Sequence, residues 1–284
     1  MASLVGLAIA GGALTLALSG RRIYQTDQNR TSVNQNLRAG MDLLGTDLRQ
    51  AGERVPADVP AVEIASGASG APDTLVLRRN LLDAVLPVCA SITGGTSAAE
   101  VFVADRGPSP PTGCAPVPDQ DADGWPDNMG AWKSYRQASG GRVLAYIYNP
   151  VGRYGEFFTY DAENSAACSI HRASAGNWAH SYGAGEQCRV YIMEERTYRL
   201  SGELLQLVIN RDAGNPLNLV CEVSDFQARA AMRDGTVLDS LGAADAWGNL
   251  LAVEVTLRGQ ASFSGRTLVR SLSARFFPRN VLSR

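Results

Sequence analysis

The sequence is poor in lysine, histidine and paired cysteine motifs, and each shortage removes a class of function. Lys133 is the only lysine, so the 26 basic residues are nearly all arginine, and 28 acidic residues leave a net charge of −2. That balance gives no basic field of the kind that holds nucleic-acid phosphates. Histidine occurs only at His171 and His180, in one loop-like stretch with no nucleophile or orienting partner at a recognisable spacing. No H-E-x-x-H and no glycine-rich phosphate loop is present. The five cysteines, Cys89, Cys114, Cys168, Cys188 and Cys221, form no C-x-x-C pair, which argues against a zinc ribbon or a thioredoxin-type motif. The expectation is a chain that is not an enzyme, with no catalytic residue and no soluble substrate.

Charge is also missing from the first 20 residues. From Met1 to Gly20 there is no acidic or basic side chain, and the run carries Leu4, Val5, Leu7, Ile9, Leu14, Leu16 and Leu18. About 20 helical residues at 1.5 Å each match a bilayer core of roughly 30 Å. A cleaved signal peptide would begin with positive charge, and a buried core helix seldom runs so long without a polar face. Arg21 and Arg22 close the segment. Beyond them the pattern turns one-sided: Val33, Leu37, Met41, Leu44, Leu48 and Ala51 recur at spacings of three and four, the period of one helix face. Asn34, Arg38, Asp42, Asp47, Arg49 and Gln50 fall on the other face, and Gly52 and Pro56 supply a stop. The spacing predicts one continuous helix of about 50 residues, membrane-spanning or filament-buried over 1–20 and amphipathic over 21–54.

After Pro56 the helical pattern does not return, and 55–284 reads as a β-rich head. Strands are expected at Leu75–Leu77 and Glu100–Val103, and in hairpins formed by Arg142–Tyr148 with Glu156–Tyr160 and by Arg189–Leu200 with Leu204–Ile209. The segment Leu251–Leu257 alternates apolar and polar residues, as does the last strand through Leu268, Leu272 and Phe276. Strands grouped after one long helix indicate an α+β fold, with an antiparallel sheet resting on Val33, Leu37, Met41, Leu44 and Leu48.

The cysteines sit in or beside loops, a placement that suits bridges formed in an oxidising compartment. The expected pairs are Cys89–Cys114 and Cys168–Cys188, with Cys221 left free. The sharpest local motif is Asp119-Gln120-Asp121-Ala122-Asp123-Gly124-Trp125-Pro126-Asp127. Carboxylates at alternate positions with glycine sixth match the first half of an EF-hand loop, which suits calcium. Asp119, Asp121, Asp123 and Asp127 would supply side chains and Trp125 a backbone carbonyl. Gly130 stands where the twelfth-position glutamate belongs, so the expectation is a calcium-stiffened loop rather than a full EF-hand, set against a plain solvated acidic turn. Trp125, Trp132, Trp178 and Tyr182 are candidates for an adhesive surface or, alternatively, for core packing.

Four segments carry a resemblance. Asn34 to Gly52, ending Asp47-Leu48-Arg49-Gln50-Ala51-Gly52, resembles a segment of the PilW/PulJ minor pilins in which a helix ends in "DLRxAG". Glu194 to Leu200 is similar to that family's "YxL" strand, and Val223 to Arg229 to its "VxDFQVR" stretch. Phe277-Pro278-Arg279-Asn280 is similar to its terminal "RN". The likeness implies a type IV pilin-like fold: a long N-terminal helix on an antiparallel β-sheet head with long disulfide-closed loops. It implies a minor pilin that primes a type IV pilus near its tip, serving adhesion, motility or DNA uptake. The partners it implies are other major and minor pilins and, before assembly, the inner membrane, with DNA or a surface ligand touched only indirectly. The head would be periplasmic before assembly and at the cell surface afterwards. Members of the family carry a basic leader and a glutamate early in the mature chain. Neither occurs in this sequence, and Gly6 stands in one position for that glutamate: either the sequence begins inside the true N-terminus, or the subunit lacks the glutamate, as one at the very tip would allow. The alternatives are a type II secretion pseudopilin and, from a different class, a membrane-tethered calcium-binding adhesin or hydrolase outside any filament.

Overall fold

The computed structural model describes residues 2–56, 59–173, 176–242, 245, 247–263 and 266–282, with the side chains of 2–11, 13–15, 17, 18, 22, 263, 266 and 282 outside that description. Helix α1 runs unbroken over Ala2–Gln50, 49 residues or about 73 Å of rise. Gly52 ends it in the left-handed region at φ 78°, where any side chain would be strained. Its Cβ-less surface faces Val281 and Ala61.

The strands follow as β1 (Val62–Ala65), β2 (Thr74–Asn80), β3 (Leu86–Pro87) and β4 (Glu100–Phe102), then helix α2 (Asp127–Ala138). Next come β5 (Val143–Asn149), β6 (Tyr154–Asn164), β7 (Ser169–Arg172), β8 (Arg189–Ser201), β9 (Leu204–Ile209) and β10 (Leu217–Val220). The chain closes with β11 (Val223–Met232), β12 (Val237–Leu238), β13 (Leu250–Phe263), β14 (Arg266–Phe276) and the short helix α3 (Arg279–Leu282).

These strands correct the expected fold class. The chain is mostly antiparallel sheet, 39% strand against 23% helix, arranged as one ten-stranded and one four-stranded sheet. It is not the pilin-like α+β arrangement of a helix on a single sheet. The stripe of α1 packs against the inner faces of both sheets at once. Leu75, Leu77, Tyr198, Leu205 and Leu207 come from the larger sheet, and Phe226, Val253, Val255, Leu257 and Phe276 from the smaller. Gly40 and Gly45 let the helix approach, the first against Leu257, Val220 and Leu205 and the second against the Phe276 ring. The strands of two to four residues are too short to show an alternation, which is why a sequence pattern undercounts the sheets.

β8 is shared between two cores. Its C-terminal half lies between β2 and β9, where Tyr198 faces α1. Its N-terminal half lies between β3 and β5, where Val190 and Ile192 face a second core. Around that core the pairing runs β3, β8, β5, β6, β7, β4. It returns to the start when Cys89 N–H donates to the Phe102 carbonyl at 2.8 Å. The Cys89–Cys114 disulfide sits on this seam, since Asp105 N–H just beyond β4 donates to the Cys114 carbonyl.

The ring overturns the second expected bridge. Cys168 and Cys188 are both free and buried. Cys168 leads into β7 and Cys188 into β8, and two strands separate β7 from β8 whichever way the ring is followed. A bridge would have to join two strands that do not pair with each other. Cys221 is free and exposed.

Helix α2 was not expected. Pro126 precedes its first turn and Asp127 opens it, a favourable start for a helix. Met129 and Trp132 then drive its one apolar face into the ring core. Burial there supplies what an isolated 12-residue helix would lack.

Candidate functional site

The helix has two unlike halves. Val33, Leu37, Met41, Leu44 and Leu48 are all buried, none more than 5% exposed, and each is worth about 1.5–3 kcal/mol relative to exposure. N-terminal to Val33 the described side chains are exposed or half-exposed, including Leu16 at 74% and Ile23 and Tyr24 at 63%. Leu4, Val5, Leu7, Ile9, Leu14 and Leu18 lie outside the described side chains. Among the described residues no helix is long and apolar enough to cross a membrane.

Where the helix ends, the segments that carry the family resemblance meet. Asp47, read from the sequence as a surface residue, is buried and accepts two hydrogen bonds from Arg196 Nη1 at 2.8 and 2.9 Å. The Tyr198 hydroxyl also donates to it. Asp47 belongs to the "DLRxAG" segment, and Arg196 and Tyr198 to the "YxL" strand. Glu194 binds Arg79 at 2.6 Å and Arg196 at 3.1 Å, and Arg79 donates to Gln50. One strand position along, Arg78 bridges Glu63 and Glu195 at 2.7 Å each, and Arg211 binds Glu195 at 2.8 Å. From the chain's end, Asn280 Nδ2 donates to the Arg49 and Gln50 carbonyls at 3.3 and 3.4 Å, satisfying acceptors that a helix C-terminus leaves open. Asp73 ties the fourth segment in, with its N–H on the Phe226 carbonyl and its carboxylate on Ala228 N–H, each at 2.8 Å.

The electrostatics of this junction are those of paired charges. Burial pushes the Glu194 carboxyl up, but hydrogen bonds from Arg196 and Arg79 more than offset it, so the group lies below the usual glutamate range. Glu195 is likewise pushed up by burial and brought below that range by Arg211 and Arg78. Burial and the bond to Asp47 hold the Tyr198 phenol above its usual value. Burial lowers the Arg196 guanidinium, but Asp47 and Glu194 raise it further. The junction clamps helix to head through ion pairs whose members are mostly out of water.

The acidic loop lies elsewhere, between β4 and α2. Side-chain oxygens of Asp119, Asp121 and Asp127 stand within 4.8 Å of one another and could hold a metal ion. Asp123 does not join them; its Oδ1 accepts from Trp125 N–H at 2.8 Å. Asp119 accepts from Asp123 N–H at 3.1 Å and Gly124 N–H at 2.8 Å, and Asp127 from Gln120 N–H at 3.0 Å. Slight burial raises the Asp119 carboxyl, but these backbone bonds leave it below the ordinary aspartate value. The Asp123 N–H lowers Asp121, yet its hydrogen bond to Asp119, slight burial and the neighbouring charges leave it raised. An all-oxygen set suits a hard cation.

The aromatic candidates divide. Trp132, Trp178 and Tyr182 are buried in the ring core, which removes them from any adhesive surface, and Trp125 is half-buried with Lys133 Nζ 4.2 Å from its ring centroid. His171 binds Asp161 at 2.6 Å on β7, while His180 stacks on Tyr154 at 4.5 Å, so the two imidazoles serve different local contacts. The residues that sequence reasoning missed are Arg78, Glu63, Glu195 and Arg196. The legible signal was the alternation of acid and base along Glu194-Glu195-Arg196 opposite Arg78-Arg79, since cross-strand partners of opposite charge stabilise a sheet. Comparison with family models, with curated proteins and with solved structures returns no match.

Proposed function

We propose that this chain is a filament subunit of the minor-pilin kind, which joins its neighbours through its long N-terminal helix and presents its β head outside. The observation that carries the reading is the division of α1: a C-terminal half sealed against the head, and an N-terminal half whose described side chains stand exposed. An exposed helix with Leu16, Ile23 and Tyr24 on its surface gains by burial among other helices. The clamp at Asp47, Arg196 and Tyr198 supports the same reading, because load on a filament helix passes to the head through that junction. The sequence resemblance supplies the assignment to the PilW/PulJ kind, and with it priming of assembly near a filament tip. On this reading the helix lies in the inner membrane before assembly, with other pilins as partners.

Deletion of the gene should abolish sheared surface filaments, and complementation should restore them. Filaments at normal number in the deletion strain would overturn the assembly role. Secreted-protein levels in the same strain separate a secretion pseudopilin from a pilus subunit. The loop of Asp119, Asp121 and Asp127 supports a calcium site on the head, as the tethered-adhesin alternative also requires. Calorimetry of the full chain with calcium alone should show binding that Asp119→Asn removes, and absence of heat would dispose of the ion.

A further inference from the structure

We propose that Arg172 holds a small anion, chloride in size, at the mouth of the ring formed by β3, β8, β5, β6, β7 and β4. The reasoning starts from the charges that the head takes out of water. Among the described residues these are Asp47, Asp73, Arg78, Arg172 and Glu195. Asp47 meets Arg196, and Arg78 meets both Glu63 and Glu195. Asp73 accepts from the Gly67 and Ala228 N–H groups, each at 2.8 Å. Arg172, 6% exposed, is met by neither a carboxylate nor a strong hydrogen bond. Its Nε and Nη1 are buried without a partner, and its Nη2 reaches only the Asn177 carbonyl, at 3.5 Å. An arginine does not shed its charge inside a protein, and a buried charge left unpaired is strongly destabilising.

The fold holds this cation in one place. Ile170, two residues back along β7 and so on the same face, lies in the ring core. Arg172 lays its guanidinium on Trp178, with Cζ 4.1 Å from the ring centroid. Trp178 is fixed in turn, its Nε1 donating to the Ala98 carbonyl at 2.9 Å. The stack offsets part of the burial, but it covers only the face of the guanidinium. The Nε and Nη1 protons lie in the plane, where an anion beside the indole would accept them.

The acids around this mouth are engaged elsewhere. Glu156 accepts from the Ala179 and His180 N–H groups and the Tyr182 hydroxyl, Asp161 from His171, and Glu100 from the Ser169 hydroxyl. The sequence from Ala173 to Asn177 contains no acid. Because Nε and Nη1 are closed off from solvent, a single-atom ion suits the place better than a carboxylate or a phosphate. Gly176 and Asn177 are exposed just above it. A Cβ on Gly176 would stand 3.4 Å from Nη2, so the bare glycine keeps a short path to solvent.

Thermal unfolding of the purified full chain in detergent, in sodium chloride and in sodium gluconate at equal ionic strength, tests the site. Chloride at about a hundred times its Kd should shift the unfolding equilibrium about a hundredfold toward the folded state, and gluconate should not. Arg172→Met, which keeps the apolar length of the side chain, should remove the chloride dependence. Bromide, a quencher close to chloride in size, should give a saturable loss of tryptophan fluorescence that Trp178→Phe removes. Equal unfolding in the two salts overturns the proposal, since buried water would then satisfy the arginine. A chloride effect that survives Arg172→Met, or saturable quenching that survives Trp178→Phe, overturns it by placing the ion elsewhere. The salt comparison and the quenching need no Arg172 variant, so they decide the matter even if Arg172→Met does not fold.

Discussion

The two cores that share β8 are built by different means. The core beneath α1 is mainly aliphatic, with Leu37, Leu44, Leu48, Leu75, Leu205, Val253 and Val255 joined by scattered rings at Tyr198, Phe226, Trp247 and Phe276, and its charged rim ties helix to sheet. The ring core is aromatic: Trp132 stands 5.4 Å from Tyr160, and Trp178 lies 5.5 Å from Phe158 and 5.8 Å from Tyr182. It is pinned by a disulfide at its seam. An aliphatic stripe on a straight helix can pack on any pleated face of the right width, so specificity there falls to the ion pairs. Large rings have few ways to interlock, so the ring core carries its own specificity, and its weakness is closure.

The largest expected effect breaks the first core alone. Asp47→Ala leaves Tyr198 without its acceptor and Arg196 with Glu194 as its remaining carboxylate, and should cost about 3 kcal/mol, the lower end of the scale for removing one member of a buried pair. Hydrogen exchange should rise over residues 33–50 and along β9 while β5 and β6 keep their protection. Equal loss in both regions would show that the cores unfold as one unit. The mirror experiment is Cys89→Ser/Cys114→Ser, which frees a loop of 25 residues and should remove about 3 kcal/mol. The loss should appear in the near-ultraviolet signal of Trp132 and Trp178 and leave the helix untouched. A smaller effect follows from Gly45→Ala, whose methyl would meet the Phe276 ring. It should cost about 1–3 kcal/mol by overpacking, read from thermal unfolding, with protection lost at the helix before the ring.

Acid should sharpen the contrast. Glu194 and Glu195 at the junction and Glu163 in the ring all lie below the glutamate value of 4.5. Burial raises Glu163, and Arg136 and Tyr160 bring it down. Groups with lowered native values stabilise the fold above 4.5, and that contribution is lost as pH falls from there toward the native value. With two such groups at the junction and one in the ring, exchange protection along residues 33–50 should fall first. The smallest effect concerns the acidic loop, where a cation competes with the proton that Asp121 holds more tightly than an ordinary aspartate. Calcium heat, read by calorimetry, should therefore weaken as pH falls.

Much of the helical part was legible. The three-and-four spacing from Val33 to Leu48 located the buried face because helix periodicity is local, and Gly52 marked the stop because only its backbone freedom suits the turn. Most strands with six or more residues are marked by alternation or by a flanking turn, as at Ser201-Gly202, but the ten-residue β11 is not. The fold class differs from the expectation because β1, β3, β7, β10 and β12, of two to four residues, are too short to show a period, and because α2 has only Met129 and Trp132 to mark its buried face. Asp47 was misplaced for a related reason: nothing near it in sequence shows that Arg196, 149 residues on, will be its partner.

The sequence by itself determined the elements whose causes are local: a helix 49 residues long, its apolar stripe, its stop, and the hairpins on either side of Asn149 and Gly202. Tertiary structure alone decided which sheet each strand joined, that β8 would serve two cores, and that Cys168 and Cys188 would stay unbridged. Those outcomes depend on pairings between residues far apart in the chain, where the free energy of closing a loop is set against contacts that exist only once the loop has closed.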